Sequence, residues 1–240
     1  MSWLRRLARP APVLEAEAAL SLKRWRASVV TRPWAPCAFA EFTVLDTETT
    51  GLDVRHHTLL SIGAVRVRET RVAMGESFYR EIRPERASDR SNVLVHGIGH
   101  GAQLSGEDPA IVLAAFMAFA GGRPLVAYNA PFDREMIESA VWKHLGVKWR
   151  PTWIDTADLV KSMFPGEATE LKTLDDWMGR FGIVHYERHN ALADALCTAQ
   201  LFQVLLARAE KGVFDGEGSA AGGKELPLAA EAVRVGSDEG

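Results

Sequence analysis

Cysteine is scarce in this 240-residue chain: there are two, Cys37 and Cys197. They form no paired spacing of the kind that holds zinc, and two residues make no disulfide framework. The expectation is a reducing, cytoplasmic setting without disulfides. Long apolar runs are also missing. None reaches the ~18 residues of a membrane span, so no membrane association is expected. The N-terminal M-S-W-L-R-R-L-A-R-P has charge but no apolar stretch after it, so a secretory signal is not expected either. A Gly-x-x-x-x-Gly-Lys loop is absent. Gly222-Gly223-Lys224 lacks the frame for one, which argues against an NTP-driven activity. Positive charge is not in excess, since the formal net charge is −3. Residues 1–35 carry +5 and residues 215–240 carry −4, which leaves −4 for the middle. A protein that grips long nucleic acid by many phosphates shows a basic footprint. The net charge of the middle shows none.

The length suits one domain of about 170–180 residues with flanks. The boundaries expected are an N-terminal extension at 1–37, a catalytic-sized domain at 38–212 and a Gly/Ala-rich acidic tail at 213–240, which reads as disordered. In the extension, Leu14, Ala18, Leu22, Trp25 and Val29 form one helical stripe, with Lys23, Arg24 and Arg26 off it. A helix packed on the domain's own surface is the favoured reading, ahead of a docking helix or a basic contact for nucleic acid. Three strands follow, at 42–45, 59–67 and 74–82, and their short polar connections predict an antiparallel meander. His56 and His57 lie in the first connection and read as surface residues. Asp108-Pro109 marks a helix start, with Asp at the N-cap and Pro next. Its apolar face is expected from Ile111, Val112, Ala115, Phe116 and Phe119. Next come a strand at 125–128, a helix with Phe132, Met136, Ile137, Ala140 and Val141 as its buried side, a brief strand at Trp153-Ile154, and helices over 157–163, 171–181 and 191–209.

The chemistry starts in F-T-V-L-D-T-E-T-T-G-L, residues 42–52. Residues i and i+2 of a strand share a face, so Asp46 and Glu48 can stand side by side. Such a pair is either a cation site, because like charges that close repel, or a solvated strand end before a Thr-Gly turn. Asp133 falls in the first turn of a helix, where the helix dipole also favours a carboxylate. His189 and Asp194 are five residues apart and would diverge on one continuous helix. They converge only if His189 lies in the loop before the helix and Asp194 in its first turn, which Asn190 as N-cap supports. Four carboxylates at the ends of regular elements ask for hard divalent cations, Mg²⁺ or Mn²⁺ rather than zinc. Two such ions serve phosphodiester displacement, and His189 can act as the base.

These motifs, with S-I-G-A-V, V-H-G-I at 95–98, L-V-A-Y-N-A-P-F-D at 125–133, I-D-T at 154–156 and R-H-N-A-L-A-D-A at 188–195, resemble the DEDDh 3′→5′ exonucleases. That DnaQ-like group includes the proofreading epsilon subunit of bacterial DNA polymerase III, and the resemblance covers roughly residues 40–210. It implies an α/β, RNase H-like fold: a mixed five-stranded sheet flanked by helices. It also implies that Asp46 bridges two ions, that Glu48 and Asp194 hold the ion with the nucleophilic water, that Asp133 supports the second, and that His189 is the general base. Thr49, Gly51 and Leu52, with His96, Ile98 and Asn129, would hold the 3′-terminal nucleotide, and Asp155 would act behind the ligands. Ser61 stands where many relatives have Glu, which alters nearby charge but removes no ligand.

Three functions fit this reading. One is an exonuclease that releases nucleoside 5′-monophosphates from 3′ ends of single-stranded DNA, alone or beside a DNA polymerase. Another trims RNA or degrades oligoribonucleotides. The third is a silent nucleic-acid-binding or docking module, which the intact set of five catalytic residues disfavours.

Overall fold

The computed structural model describes residues 12–28, 40–84, 105–185 and 189–211. Three antiparallel strands come first: β1 (Glu41–Thr49), β2 (Leu59–Arg68) and β3 (Arg71–Glu81). Two short strands, β4 (Leu125–Ala127) and β5 (Trp153–Asp155), join β1's other edge in parallel. The order is β3-β2-β1-β4-β5, the mixed five-stranded sheet of an RNase H-like fold, and the meander is as the sequence predicts. β2 turns into β3 through Glu69 and Thr70, both at positive φ (49° and 58°), the geometry of the tight hairpin turn whose twist suits antiparallel strands. Gln203 Nε2 donates to the Thr70 carbonyl (3.1 Å) and ties that turn to the last helix.

The helices are α1 (Ala16–Arg26), α2 (Pro109–Ala120), α3 (Ala130–Leu145), α4 (Thr156–Met163), α5 (Leu174–Phe181) and α6 (Ala191–Glu210). Because side chains alternate along a strand, the sheet has two apolar faces. Leu45, Ile62, Ala64, Phe78 and Leu125 pack on α1, α2 and α3. Phe42, Val44, Val65, Val67 and Val126 pack on α4, α5 and α6.

α1 lies against α2 with Ala18 and Leu22 buried in the first core and Leu14 and Trp25 half-covered, while Lys23, Arg24 and Arg26 stay exposed. The stripe from Leu14 to Trp25 is therefore packing surface, and Val29 lies outside the described residues. α2 begins as predicted, with Asp108 accepting from Ala110 N (2.8 Å). Its buried residues are Val112, Leu113, Ala114, Phe116, Met117 and Ala120, whereas Ile111, Ala115 and Phe119 are only partly covered. The expected face is displaced because α2 is apolar all round and is enclosed by α1, α3 and the sheet together. α5 starts at Leu174 rather than 171. Thr173 and Asp176 form a reciprocal capping box there, and a 3₁₀ turn (Glu167–Thr169) precedes it.

α6 shows how packing positions the site. Its inward residues near the start are small (Ala191, Ala195, Ala199), and those further on are large (Phe202, Leu205, Leu206). Phe202 meets Phe42 edge-on at 5.0 Å. At the other end the helix touches the sheet at Gly63, where a Cβ would lie 2.1 Å from the Ala191 carbonyl carbon and 2.2 Å from Leu192 N. Only glycine permits that approach. α6 is also long and apolar enough to cross a membrane, but its apolar residues are spent on the second core.

Candidate functional site

Gly63 pairs with Asp46 across the β1–β2 ladder, and Ser61 pairs with Glu48. The helix end that rests on Gly63 thus stands over Asp46. Asn190 caps it, its Oδ1 accepting from Leu192 N (3.1 Å) and Ala193 N (3.2 Å). Asp194 consequently falls in the first turn of α6 and His189 in the turn before the cap, the arrangement their spacing requires. One carboxylate oxygen each from Asp46, Glu48 and Asp194 can be chosen such that all lie within 4.8 Å of one another. β1 carries a register shift between Glu48 and Thr49. An irregularity of this kind re-aims side chains at a strand's end.

Asp133 comes from the opposite face of the sheet. It is buried (4% exposed) at the start of α3, and Thr47 Oγ1 donates to its Oδ1 at 2.7 Å. It stands outside the three-carboxylate group but close enough to Asp46 to repel it. Burial pushes the Asp46 carboxyl well above the ordinary carboxylate range, with Asp133, Asp194 and Glu48 adding to the shift in that order. Burial, then Asp194 and Asp133, raise Glu48 to about 7. Burial raises Asp133 to about 7 as well, against the Thr47 hydroxyl, which favours the ionised form. The Cys197 thiol, one turn along α6 from Asp194, is pushed up to about 11 by burial first and by Asp194 next. Acids so close and so desolvated resist joint ionisation unless a cation lies among them. The all-oxygen donor set fits a hard divalent ion.

His189 is exposed, at φ 60°. Thr49 Oγ1 donates to the Gly51 carbonyl (2.9 Å), and Leu52, 85% exposed, stands at the edge of the turn. Asn129 has a left-handed backbone (φ 59°, ψ 49°), and its N–H donates to Asp155 Oδ1 (3.0 Å). The same oxygen accepts from Ala157 N (2.8 Å), so Asp155 caps α4 and holds the Asn129 corner at once. Burial raises the Asp155 carboxyl despite those bonds. His96 and Ile98 lie outside the described residues.

Three contributors are not marked in the sequence. Thr47, the residue between the two acids of β1, holds Asp133. Gly63 admits α6. His185 brings Nε2 to 3.0 Å from Asp194 Oδ1. His57 also departs from expectation: it is half-buried, packs its ring against Gly51 and lies 3.2 Å from Thr50 Oγ1 through Nδ1, while His56 is the exposed one, paired with Asp53. Beyond this turn a cavity of about 530 Å³ is lined by Arg55, His56, His57, Arg83, Lys143 and His144, among others, and none of the described residues lining it is acidic.

Residues 43–202 match the family model of the RNase T exonucleases, described as "Exonuclease". The PolC-type DNA polymerase III of Thermotoga petrophila is 32% identical over 163 residues, 68% of this chain, but the chain spans only 12% of that polymerase. The DNA polymerase III epsilon subunit of Haemophilus influenzae is 31% identical over 190 residues, covering 75% of this chain and 72% of the subunit. Among solved structures, E. coli exonuclease I bound to single-stranded DNA superposes with a TM-score of 0.62 at 21% identity, over 71% of this chain and 41% of that one. That last likeness is one of fold. With the sequence matches it leads to one conclusion: the chain belongs to the RNase T exonuclease family.

Proposed function

We propose that this chain removes nucleotides from the 3′ ends of single-stranded DNA as 5′-monophosphates, in a proofreading or repair role beside a DNA polymerase. The observation that carries the reading is the meeting of Asp46, Glu48 and Asp194 within 4.8 Å where β1 ends beneath α6. In this reading those three carboxylates would hold Mg²⁺ or Mn²⁺, and Asp133 would support a second ion. Such ions would supply Lewis-acid chemistry to a phosphodiester and its attacking water. His189 takes the water's proton from its exposed place before α6. Main-chain groups of Thr49 to Leu52 seat the terminal nucleotide, with Leu52 against its base. Asn129 borders the same end, and Asp155 keeps it in place.

DNA is favoured because the relatives are named as DNA polymerase subunits and exonuclease I is seen with single-stranded DNA. The cationic cavity next to the Gly51 turn gives upstream phosphates a place to lie despite the acidic net charge of the domain. The catalytic unit, expected at 38–212, is extended here to take in α1, whose residues share the first core. The free, buried Cys197 suits a cytoplasmic setting.

The test is a time course on 3′- and 5′-labelled single-stranded DNA, duplex DNA and RNA with Mg²⁺ or Mn²⁺. The 5′ label should ladder downward one nucleotide at a time, and the 3′ label should appear at once as mononucleotide. Faster digestion of RNA would replace the substrate assignment. Internal cuts would replace the mode of action.

A further inference from the structure

His185 lies on the segment that leaves α5 after Gly182, four residues before His189. Its side chain is 11% exposed, and both ring nitrogens are shut off from solvent. Nε2 stands 3.0 Å from Asp194 Oδ1, an ion-pair approach rather than a straight N–H···O bond, and among the described residues neither nitrogen has an aligned hydrogen-bond partner. A buried polar group without a partner costs on the order of 1–3 kcal/mol, so such a group in a folded protein calls for a reason. The reason available here is Asp194. That carboxylate sits on the first turn of α6 with its side chain only 18% exposed, and its usefulness depends on which way it turns.

We propose that His185 is a positioning residue. Its ring holds one oxygen of Asp194, so that the other faces Asp46 and Glu48 and the three-carboxylate site is set before a divalent cation arrives. This rests on the metal-site reading above. The two histidines then divide the work: buried His185 orients a ligand, and exposed His189 meets the water. Groups that orient a metal ligand from behind are worth roughly 10–100-fold in metal affinity.

The experiment is calorimetric titration of Mn²⁺ into the full chain at one fixed pH, with kcat measured at saturating Mn²⁺. The variants are His185→Phe, which keeps a ring without donors, His185→Asn, which keeps a donor that falls short, and His185→Gln, whose amide nitrogen reaches the place of Nε2. Circular dichroism checks that each is folded. Expected is a Kd for Mn²⁺ about 10–100-fold weaker in the Phe and Asn variants, with recovery to within a few-fold in the Gln variant and kcat at saturation little changed in all three. If the Phe variant fails to fold, the Asn and Gln pair decides the matter alone. Wild-type Mn²⁺ affinity in folded His185→Asn would overturn the proposal. So would an unchanged Kd with a large fall in saturated kcat, which would move His185 to the water. Asp46→Asn serves as the control for the underlying reading. If the wild type takes up no Mn²⁺, or Asp46→Asn takes it up equally well, the metal site itself is wrong.

Discussion

Asp133 and Asp194 approach Asp46 from opposite faces of one sheet, and they are held in different ways. Asp133 is buried at the head of α3 with a threonine hydroxyl on one oxygen. Asp194 is half-buried at the head of α6, and its position follows from a glycine contact, an asparagine cap and a histidine ring. One acid is fixed by its immediate neighbour on β1. The other is fixed by where an entire helix sits. Damage to the first should therefore be local, and damage to the second should come from positions that touch neither cation nor substrate.

Asp46 is common to both halves, and its loss should have the largest effect. Asp46→Asn should bring hydrolysis of a labelled strand to background. It should also raise the melting temperature in EDTA by about 2–4 °C, as relief of about 1 kcal/mol does in a domain of this size. Turnover near that of the wild type would remove the carboxylate site from the mechanism. Next in size is His189→Ala, expected to lower kcat by roughly 10²–10⁴-fold with unchanged Mn²⁺ affinity. Loss of affinity in parallel would make His189 a ligand.

Gly63→Ala tests the Asp194 half alone. The added methyl would collide with the α6 backbone, so α6 must move out, at a cost of about 1–3 kcal/mol. Mn²⁺ should bind roughly tenfold more weakly or worse, although residue 63 offers no ligand atom. Unchanged affinity would mean that Asp194 follows the cation rather than the helix. Thr47→Val tests the Asp133 half and should be milder. It should cost about 1 kcal/mol and raise the Asp133 carboxyl above about 7, which can be read by NMR titration.

The smallest effect expected is on stability against pH. Glu48 and Asp133, both raised to about 7, keep protons in the folded chain that the unfolded chain releases near the ordinary carboxylate range. Between about pH 4.5 and 7 the folded form binds more protons, so stability falls as pH rises, and the penalty is complete above 7. The melting temperature in EDTA should thus decline from pH 5 to pH 8, and saturating Mn²⁺ should reverse the decline. A flat profile in EDTA would mean that the acids are better solvated than described.

What the sequence made legible follows from how far each signal reaches. The pairing of Asp46 with Glu48 rests on strand alternation, and the placing of His189 before Asp194 rests on helix pitch and the Asn190 cap. Both are local, and both match the structure. The same holds for the Asp108-Pro109 helix start and the three-strand meander. The buried face of α2 was misread because periodicity assumes one wet side, and α2 has apolar neighbours on several. Thr47, Gly63 and His185 carried no local signal at all. A threonine between two acids, a glycine in a strand and a histidine in a loop are ordinary until Asp133, Ala191 and Asp194 are brought to them from 86, 128 and 9 residues away. The α1 segment shows the converse. Its basic residues left a contact for nucleic acid open, while its apolar stripe favoured packing on the domain, and Ala18 and Leu22 do pack into the first core. Removal of α1 would open the core beneath Ala18 and Leu22, so neutralising Lys23, Arg24 and Arg26 is the better probe.

The Cys197 thiol gives the protein a chemical durability that its position beside the carboxylates would not suggest. With a pKa of about 11, only about one molecule in 10⁴ carries the thiolate at pH 7, and the thiolate is the form that reacts with peroxide, alkylating agents and disulfides. Burial first, and then the acids that crowd the site to receive a cation, keep the sulfur next to them protonated and slow to react.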